Sequence, residues 1–241
     1  MYEWYYMGGY WGPRQETPLD CARRAELFFQ LLGRSDSTLG QWYRGGRGAP
    51  RALPGHPVRP DVEEWEQLFL KGRARTDFGK KVIESFGWSE HVWNAKGRER
   101  TRIEFSCGAY SPGAVNVCLL YPPEVGPDRE RMLSASRMVE MLTSMVTAWD
   151  PDFAVVSSVE MLESVEKRKN ELPVGWLTYR SRRLGTVPPL PAPVRIEPVG
   201  SIGWLLILSP ERMTASNPEH VAFTARIREL LDRAGLIQRP E

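Results

Sequence analysis

The chain has 241 residues, of which 41% are hydrophobic and 26% charged, and its formal net charge is +2. This composition is typical of an ordinary folded protein and disfavours intrinsic disorder, and the near balance of charge argues against a dedicated nucleic-acid surface, which normally carries a strong basic excess. Because no apolar run approaches the roughly 20 residues of a membrane helix, and because the aromatic N-terminus does not resemble a signal peptide, we expect a cytoplasmic protein without membrane contact.

The N-terminal residues predict a strand followed by a helix. Residues 2–10 alternate between two faces that are both non-polar, which favours a strand. Thr17 and Pro18 predict the start of a helix, with a capping hydroxyl and a proline at the first helical position. Apolar residues then recur at helical spacing as far as Gly33, where we expect the helix to end.

Residues 35–60 have the composition of a loop, with two large rings beside a glycine-rich basic stretch, QWYRGGRGAPRALPG. Two interpretations stay open: a binding loop, or an Ω-loop whose Trp42 and Tyr43 fill the core. Single-strand nucleic-acid binders combine exposed rings with basic residues. The loop at residues 42–51 therefore supports an alternative function, that of a nucleic-acid-binding accessory protein.

Two helices are predicted between this loop and the centre of the chain. Asp61 can cap a helix whose inner face is apolar and whose outer face carries Glu63, Glu64 and Glu66. These acids lie in or near the first turn, where the helix dipole favours them, so they have a structural explanation beside any functional one. Residues 77–87 predict a short third helix.

The clearest pattern in the chain is a two-stranded hairpin at residues 102–121. Ile103, Phe105 and Cys107 alternate with small or polar residues, and the alternation resumes from Val115 after a Ser-Pro-Gly turn. A hairpin with one apolar face is not stable alone in water, so helices or further strands must cover that face. We therefore predict an α+β fold, with a mainly antiparallel sheet built around this hairpin and covered by several helices.

The C-terminal half continues the alternation of strands and helices. The longest predicted helix, at 128–148, has a methionine-rich face that we interpret as core rather than as a partner groove. Residues 153–156 predict a strand buried on both faces, and residues 159–171 a charged helix. Asn217 predicts the start of a last helix. Three further strands are predicted at residues 175–182, 194–200 and 203–209.

The chain length allows one large domain or two small ones. We expect a single domain over residues 1–241, because the predicted strands are distributed along the whole chain and can form one continuous sheet. Any division would be weak and would fall between residues of about 1–125 and 126–241.

The sequence shows no recognisable catalytic motif. His56, His91 and His220 are far apart, and none lies in a nucleophile or metal motif. A catalytic group assembled by the fold would be independent of order along the chain, so a hydrolase stays a third hypothesis. Our prediction is a protein without enzymatic activity.

The sequence also shows no cofactor or metal motif. Asp150 and Asp152 could bind a cation, but helix-end and turn chemistry explains both residues. The cysteines are odd in number, show no metal-ligand spacing and fall on predicted apolar faces, so we expect buried, reduced thiols. They are Cys21, Cys107 and Cys118.

The order of several short motifs resembles the immunity protein 52 family of bacterial polymorphic toxin systems. Each motif is a short aromatic or glycine pattern, and the resemblance depends on their order over nearly the whole chain. The motifs follow an aromatic N-terminal strand and are WGPR at 11–14, LGQWYRGGRG at 39–48, FGWSEHVWNAKG at 86–97, SCG at 106–108, VNVCLLYPP at 115–123, WDPDFAVV at 149–156, GWLTYRS at 175–181 and GWLLILS at 203–209.

This resemblance implies a cytoplasmic antitoxin with an α+β fold, encoded beside a secreted toxin. Members of the family are typically paired with toxins of the fifth restriction-endonuclease-like class, which degrade DNA and are often delivered by type VI secretion. The immunity protein is understood to bind the toxin and to protect the producing cell and its kin. It has no activity and no cofactor of its own.

Two sets of residues are candidates for toxin binding. A nuclease offers a basic cleft, so an inhibitor would usually present acidic side chains together with aromatic anchors, although it could instead hold the toxin away from a membrane, a partner or its dimer mate. The acidic candidates are Glu63, Glu64 and Glu66 on the second helix and Glu160, Glu163 and Glu166 on the charged helix. The anchors in or beside predicted loops are Trp11, Trp42, Tyr43, Arg44 and Trp93, which will be buried if they serve folding instead.

Overall fold

The computed structural model describes residues 2–44, 55–95, 97–165 and 171–238, and these residues confirm the predicted α+β fold. The strands are β1 (Tyr5–Trp11), β2 (Trp42–Arg44), β3 (His56–Val58), β4 (Trp88–Trp93), β5 (Arg102–Cys107), β6 (Asn116–Tyr121), β7 (Phe153–Ser158), β8 (Leu177–Ser181), β9 (Arg195–Val199) and β10 (Gly203–Ile207). The α-helices are α1 (Pro18–Ser35), α2 (Val62–Lys71), α3 (Pro127–Met132), α4 (Ala135–Trp149), α5 (Val159–Ser164) and α6 (Pro218–Arg233). None of these helices is both long enough and apolar enough to cross a membrane.

The ten strands form one antiparallel sheet in the order β3-β2-β4-β5-β6-β1-β7-β8-β10-β9. The predicted hairpin is confirmed as β5 and β6, with Phe105 opposite Cys118. β1 lies between β6 and β7, so the first strand of the chain joins strands from both halves. A sheet shared in this way supports a single domain, which stays a prediction.

Both edge strands of the sheet carry a proline. Pro57 lies in the middle of β3, opposite Tyr43, and Pro198 lies in β9, opposite Trp204. Proline has no backbone N–H to offer to a further strand, and it is confined to edge strands for that reason. These prolines disfavour the addition of another strand at either end of the sheet.

Three helices, α1, α2 and α4, pack against one side of the sheet, which we call the helix side. Their aromatic residues form a cluster in which Phe29 stacks on Trp65 with ring centroids 4.7 Å apart, while Phe105 of β5 meets the Trp65 ring edge-on at 5.8 Å. Gly9 allows α4 to lie close to β1, because a Cβ there would come within 3.0 Å of the Met145 sulfur. Burial of each such ring contributes about 1.5 to 3 kcal/mol to the hydrophobic core.

The helix starts predicted from capping residues are confirmed. The Thr17 hydroxyl accepts the Asp20 backbone N–H at 3.1 Å, and the Asp20 carboxylate accepts the Thr17 N–H in return. The Asp61 side chain accepts the Glu64 N–H at the start of α2, and Asn217 caps α6. Each cap satisfies a backbone donor that has no partner within the helix.

The predicted end of the first helix was wrong. α1 continues past Gly33 to Ser35, and the backbone N–H of Asp36 then bonds to Leu32 O. A Cβ at Gly33 would lie 3.5 Å from the backbone of Gly40, which is an ordinary van der Waals contact, so the packing there does not require glycine.

The long helix predicted at 128–148 is divided into α3 and α4. Ser134 lies between them in an extended conformation, with φ −87° and ψ 147°, and this ends one helix before the next begins. The charged helix predicted at 159–171 is shorter in its described part, since α5 ends at Ser164 and Val165 is extended.

The short helix predicted at 77–87 was wrong. Arg75 pairs with Val82 in an isolated antiparallel bridge, and only residues 84–86 form a single 3-10 turn. Gly79 and Lys80 between them have φ values of 72° and 51°, which are incompatible with a right-handed helix. β4 follows this segment and was not predicted.

The three cysteines are free and buried, as predicted. Burial raises the pKa of the Cys107 and Cys118 thiols well above the ordinary value. These thiols therefore stay protonated and behave as small hydrophobic side chains.

On the other side of the sheet, two extended segments, residues 171–176 and 236–238, cover part of the C-terminal half. The backbone N–H of Leu172 donates to Ile237 O, which joins the two segments. A Cβ at Gly175 would lie 2.6 Å from Val156 O, so the first segment runs directly against β7. The buried Arg180 of β8 binds carbonyl groups of both segments.

Glu3, just before β1, connects the N-terminus to two distant parts of the chain. Its buried carboxylate accepts hydrogen bonds from the Ser158 hydroxyl at 2.7 Å and from the Ser216 backbone N–H at 3.2 Å. Burial by itself raises the pKa of the Glu3 carboxyl, but the hydrogen bonds from Ser158, from the backbone at 215 and 216 and from Tyr5 lower it overall. The folded protein therefore favours the charged form of Glu3.

We expect Glu3→Gln to lower the free energy of unfolding at pH 7 by about 1 to 2 kcal/mol, because charge-assisted hydrogen bonds are lost. Since the pKa of Glu3 is lower in the folded than in the unfolded chain, its stabilisation is complete above the ordinary glutamate pKa and is lost as pH falls through the folded value. The variant should thus lose less stability on acidification than the wild type. Urea unfolding at pH 7 and near pH 3 measures both effects, and equal acid sensitivity would contradict this role.

Candidate functional site

The sheet side opposite α1, α2 and α4 leaves a set of side chains partly exposed over β2, β4, β5, β6 and β1. In β5, Ile103, Phe105 and Cys107 are buried on the helix side, while the residues between them face the other way and are half-exposed. The pairing register carries this alternation across the neighbouring strands. We call this surface the open face, and its members are Tyr6, Tyr10, Tyr43, His91, Trp93, Arg102, Glu104, Ser106, Val117, Leu119 and Tyr121.

The central row of the open face runs across five strands. Tyr43 lies opposite Trp93, Trp93 opposite Arg102, and Arg102 opposite Tyr121. The guanidinium of Arg102 lies 4.2 Å from the centroid of the Tyr121 ring, and the Tyr6 ring lies 6.4 Å from that of Tyr121. With strands spaced about 4.8 Å apart, the row is about 19 Å long. Four aromatic rings and an arginine are thus aligned on one partly exposed surface.

A cavity of about 280 Å³ lies at one end of this row, where the residues before β1 meet β5 and β6. Trp4 is 51% exposed at its wall, and the Tyr2 ring meets the Trp4 ring edge-on with centroids 5.2 Å apart. We call it the arginine cavity. The residues that line it are Tyr2, Trp4, Tyr5, Tyr6, Tyr121, Pro122, Val159, Arg100, Arg102, Arg129 and Glu124.

The tyrosines of the cavity are neutral hydrogen-bonding groups. Burial raises the pKa of the Tyr2, Tyr6 and Tyr121 phenols above the ordinary value. The Tyr2 hydroxyl donates to the carbonyl of Glu124 at 2.8 Å, which holds the N-terminal residues against the end of β6. The charge of the cavity wall therefore comes from its arginines and from nearby carboxylates.

A second exposed apolar feature lies in the segment that connects α2 to β4. Phe78 is 96% exposed at the tip of this segment, and Phe86 is 53% exposed near its end. The tip is held by hydrogen bonds in which the Thr76 hydroxyl accepts the Lys81 N–H and Arg75 donates to the carbonyl of Lys80. An exposed ring on an ordered tip is available for contact with a partner.

Two of the predicted anchors belong to the core. Trp11 is 3% exposed and stacks on Trp149 with ring centroids 5.5 Å apart. Trp42 is also 3% exposed, meets Phe29 edge-on at 5.1 Å and donates its indole N–H to Leu39 O. These rings serve folding, so we do not retain them as direct contacts.

The other predicted anchors lie at the surface, and two of them are adjacent on the open face. Tyr43 and Trp93 are half-buried cross-strand neighbours, although each was placed in or beside a loop from sequence. Arg44 instead lies on the helix side, where its Nε is 3.0 Å from the carboxylate of the buried Glu90. This ion pair links β2 to β4 and gives Arg44 a structural role.

The acidic candidates lie in two places. Glu63 is exposed on α2, Glu64 is 3.4 Å from Arg59, and Glu66 is half-exposed on the same helix. Because α2 covers the helix side, these carboxylates cannot join the open face. Glu160 of α5 accepts the backbone N–H of Trp4 at 2.9 Å, beside the arginine cavity. Glu163 of α5 is exposed, and Glu166 falls outside the described residues.

The remaining candidates are distributed over separate elements. His56 lies in β3, His91 lies on the open face against Trp93, and His220 accepts the Thr214 N–H at the start of α6. Asp150 and Asp152 are both bound by Arg183, at 2.9 and 3.1 Å. Across the described part of the chain, no group of three or more His, Cys, Asp or Glu is placed to hold a metal. In the loop at 42–51, residues 45–51 fall outside that part.

Sequence reasoning missed most of the arginine cavity. Tyr2, Trp4 and Tyr6 were seen as one of two non-polar faces of the first strand, but nothing local showed which face the helices would cover. The apolar alternation of the returning strand was assigned to Val115, Val117, Leu119 and Tyr121, but this face assignment was wrong: Cys118 and Leu120 are buried on the helix side, and Tyr121 lies opposite Arg102 on the open face. The sequence feature that indicated an exposed aromatic surface was the presence of aromatic residues on both faces of β1.

The fold is a helix-backed antiparallel sheet whose open face carries the aromatic and arginine residues that are enriched in protein interfaces. The family model described as Immunity protein 52 matches residues 3–240, and the chain belongs to this family. No curated protein matches the chain. Among solved structures it is similar in fold to the Pseudomonas aeruginosa T6SS protein PA0821, with a TM-score of 0.55, 11% sequence identity, and coverage of 94% of this chain and 72% of that chain.

Proposed function

We propose that this immunity-family protein binds a cognate secreted toxin inside the producing cell and neutralises it by stoichiometric binding, without catalysis and without a cofactor. Membership of the immunity protein 52 family supports the inhibitory role. The toxin that we propose is a nuclease of the restriction-endonuclease-like class, as the resemblance implies. The T6SS name of the structural neighbour fits delivery of such a toxin by type VI secretion.

The single observation that carries this proposal is the open face. Tyrosine, tryptophan and arginine dominate the binding energy of protein interfaces, and they do so when they lie close together at the centre of the contact. Trp93, Arg102 and Tyr121 are direct cross-strand neighbours, held by a sheet that fixes their spacing. A surface ordered before binding loses less conformational entropy when the complex forms.

Co-expression with the toxin encoded beside this chain tests the proposal. Cells that produce the toxin alone should stop growing, and cells that also produce this protein should grow. An inactive toxin variant, mixed with the purified protein, should elute from a size-exclusion column as a one-to-one complex. Absence of both rescue and complex would overturn the proposal, and salt-dependent binding to DNA or RNA would then favour the nucleic-acid-binding alternative.

A further inference from the structure

We infer that the arginine cavity is the receptor for an acidic side chain of the toxin, whose carboxylate contacts the arginines while its aliphatic part packs on the aromatic walls. This inference rests on the proposed function, because it assigns the partner of the same surface. It also reverses the expectation that a nuclease inhibitor contributes the acids, since the charge of the cavity wall is mainly positive.

The positive charge of the cavity is held in place before any partner binds. Arg129 donates to Pro123 O at 3.0 Å and to Glu3 O at 2.7 Å, and its guanidinium lies 4.8 Å from the Tyr2 ring centroid. Backbone carbonyls orient an arginine without neutralising its charge. The Arg129 guanidinium therefore remains a fixed cation beneath the aromatic wall.

Two further arginines add to this charge. Arg100 is half-exposed and forms no ion pair or hydrogen bond with any residue that the structure describes. Arg102 is shared between the Tyr121 ring and Glu104, whose Oε1 lies 3.2 Å from the Arg102 Nε, and 37% of the Arg102 side chain stays exposed. An incoming carboxylate would contact this exposed part of the side chain. Bidentate contact between guanidinium and carboxylate is the strongest form of such a pair.

The acids near the cavity leave this surplus in place. Glu124 lines the cavity, but its carboxylate lies 2.8 Å from Nε of Arg98, outside the group that lines the cavity. Glu160 accepts the Trp4 backbone N–H and so fixes the aromatic wall. Of the three arginines of the wall, only Arg102 forms an ion pair with a carboxylate of the described residues, that of Glu104.

The distribution of charge at the cavity favours a single carboxylate, rather than a nucleic-acid strand, as the group that binds there. A phosphate backbone carries one charge per nucleotide and is bound by an extended basic track. Here Glu124 lines the cavity, Glu104 and Glu160 lie beside it, and the net charge of the chain is only +2. These carboxylates would repel the phosphates on either side of a bound one, whereas an isolated acidic side chain on a protein avoids them.

The test compares the affinity of the wild type and of charge-reversal variants for the purified, inactive toxin domain by isothermal titration calorimetry. Arg100→Glu should weaken binding about 100-fold or more, because it replaces an attraction with a repulsion at a desolvated site, and Arg100→Gln should weaken it about tenfold. Arg23→Glu is the matched control, since it makes the same charge change on the exposed side of α1. It should change affinity less than about twofold.

The outcomes separate the two proposals. Because Arg100 forms no ion pair or hydrogen bond with a described residue, both Arg100 variants should keep the wild-type melting temperature. If Arg100→Glu lowers the melting temperature, Arg100→Gln still tests the proposal. If the wild type binds the toxin and Arg100→Glu binds as well as Arg23→Glu, the arginine cavity is not the receptor, while the immunity function stands. If the wild type does not bind, both proposals fail. Binding of labelled single-stranded DNA that is lost in Arg100→Glu would assign the cavity to nucleic acid instead.

Discussion

Arg180→Met is expected to lower the free energy of unfolding by about 3 kcal/mol. The guanidinium of Arg180 is fully buried and donates to three carbonyl groups, Leu236 O at 2.9 Å, Tyr179 O at 3.0 Å and Pro173 O at 2.8 Å. Methionine fills a similar volume but leaves these buried acceptors without a donor, and each costs about 1 to 3 kcal/mol. Two of the three belong to the segments that cover β7 and β8, so their docking should weaken together.

An opposing effect limits the size of this loss. Burial lowers the pKa of Arg180 to about 9, and no carboxylate in the described part of the chain pairs with it. Removing a desolvated charge recovers several kcal/mol in other proteins, sometimes enough to stabilise the fold. We expect the carbonyl groups to dominate here because three hydrogen bonds, rather than one, are lost at once.

Urea unfolding at pH 7, followed by tryptophan fluorescence, measures the difference. Arg182→Met is the matched control, since Arg182 is two residues away and exposed, with its guanidinium 4.4 Å from the Trp204 ring centroid. The control should cost less than about 1 kcal/mol. Limited proteolysis should release the C-terminal segment only in the Arg180 variant. An Arg180 variant as stable as the wild type would show that desolvation of the charge outweighs its hydrogen bonds.

The elements that sequence reasoning predicted well are those whose signals are local. Thr17 with Pro18, Asp61 and Asn217 each bond within their own helix turn, so the capping pattern alone located the starts of α1, α2 and α6. The hairpin of β5 and β6 was equally clear, because a period of two over six residues needs no knowledge of the partner strand.

The errors arise where a distant residue decides the outcome. β4 was missed in part because Glu90 occupies an inward position, and that position is acceptable only because Arg44 of β2 approaches it. The prediction of a helix at 77–87 was wrong because the chain turns back at Gly79 and Lys80, and Arg75 pairs with Val82. Neither contact leaves a trace in the local periodicity.

The candidate site depends on the same kind of information. Trp11 and Trp42 were predicted as surface anchors because they lie in or beside predicted loops, yet Trp149 and Phe29 bury them. The open face could not be predicted, because β1 is aromatic on both sides and only the packing of α4 against Gly9 determines which side stays uncovered. The face that binds a partner is thus a consequence of helix placement rather than of strand sequence.

The double variant Tyr43→Ala/Trp93→Ala is expected to weaken toxin binding several-hundred-fold. These rings are cross-strand neighbours at one end of the central row, half-exposed and distant in the chain. Truncation of an aromatic hot-spot residue costs about 2 kcal/mol or more, so the pair should cost about 3 to 4 kcal/mol when the two losses are not fully additive. Titration of the inactive toxin domain gives the affinity, and growth rescue gives the physiological consequence.

Glu63→Lys/Glu66→Lys on α2 is the comparison that separates the two candidate surfaces, because α2 lies on the helix side and cannot take part in contacts of the open face. Each double variant should change the melting temperature by only a few degrees, since the affected side chains are exposed or half-exposed. If only the aromatic variant loses binding, the toxin is held by the open face. If only the α2 variant loses binding, the immunity protein supplies the acids to a basic cleft, and the open face has another role. Which pair of substitutions abolishes the complex therefore decides which of the two surfaces holds the toxin, and the Arg100 variants decide the sign of the charge that meets it.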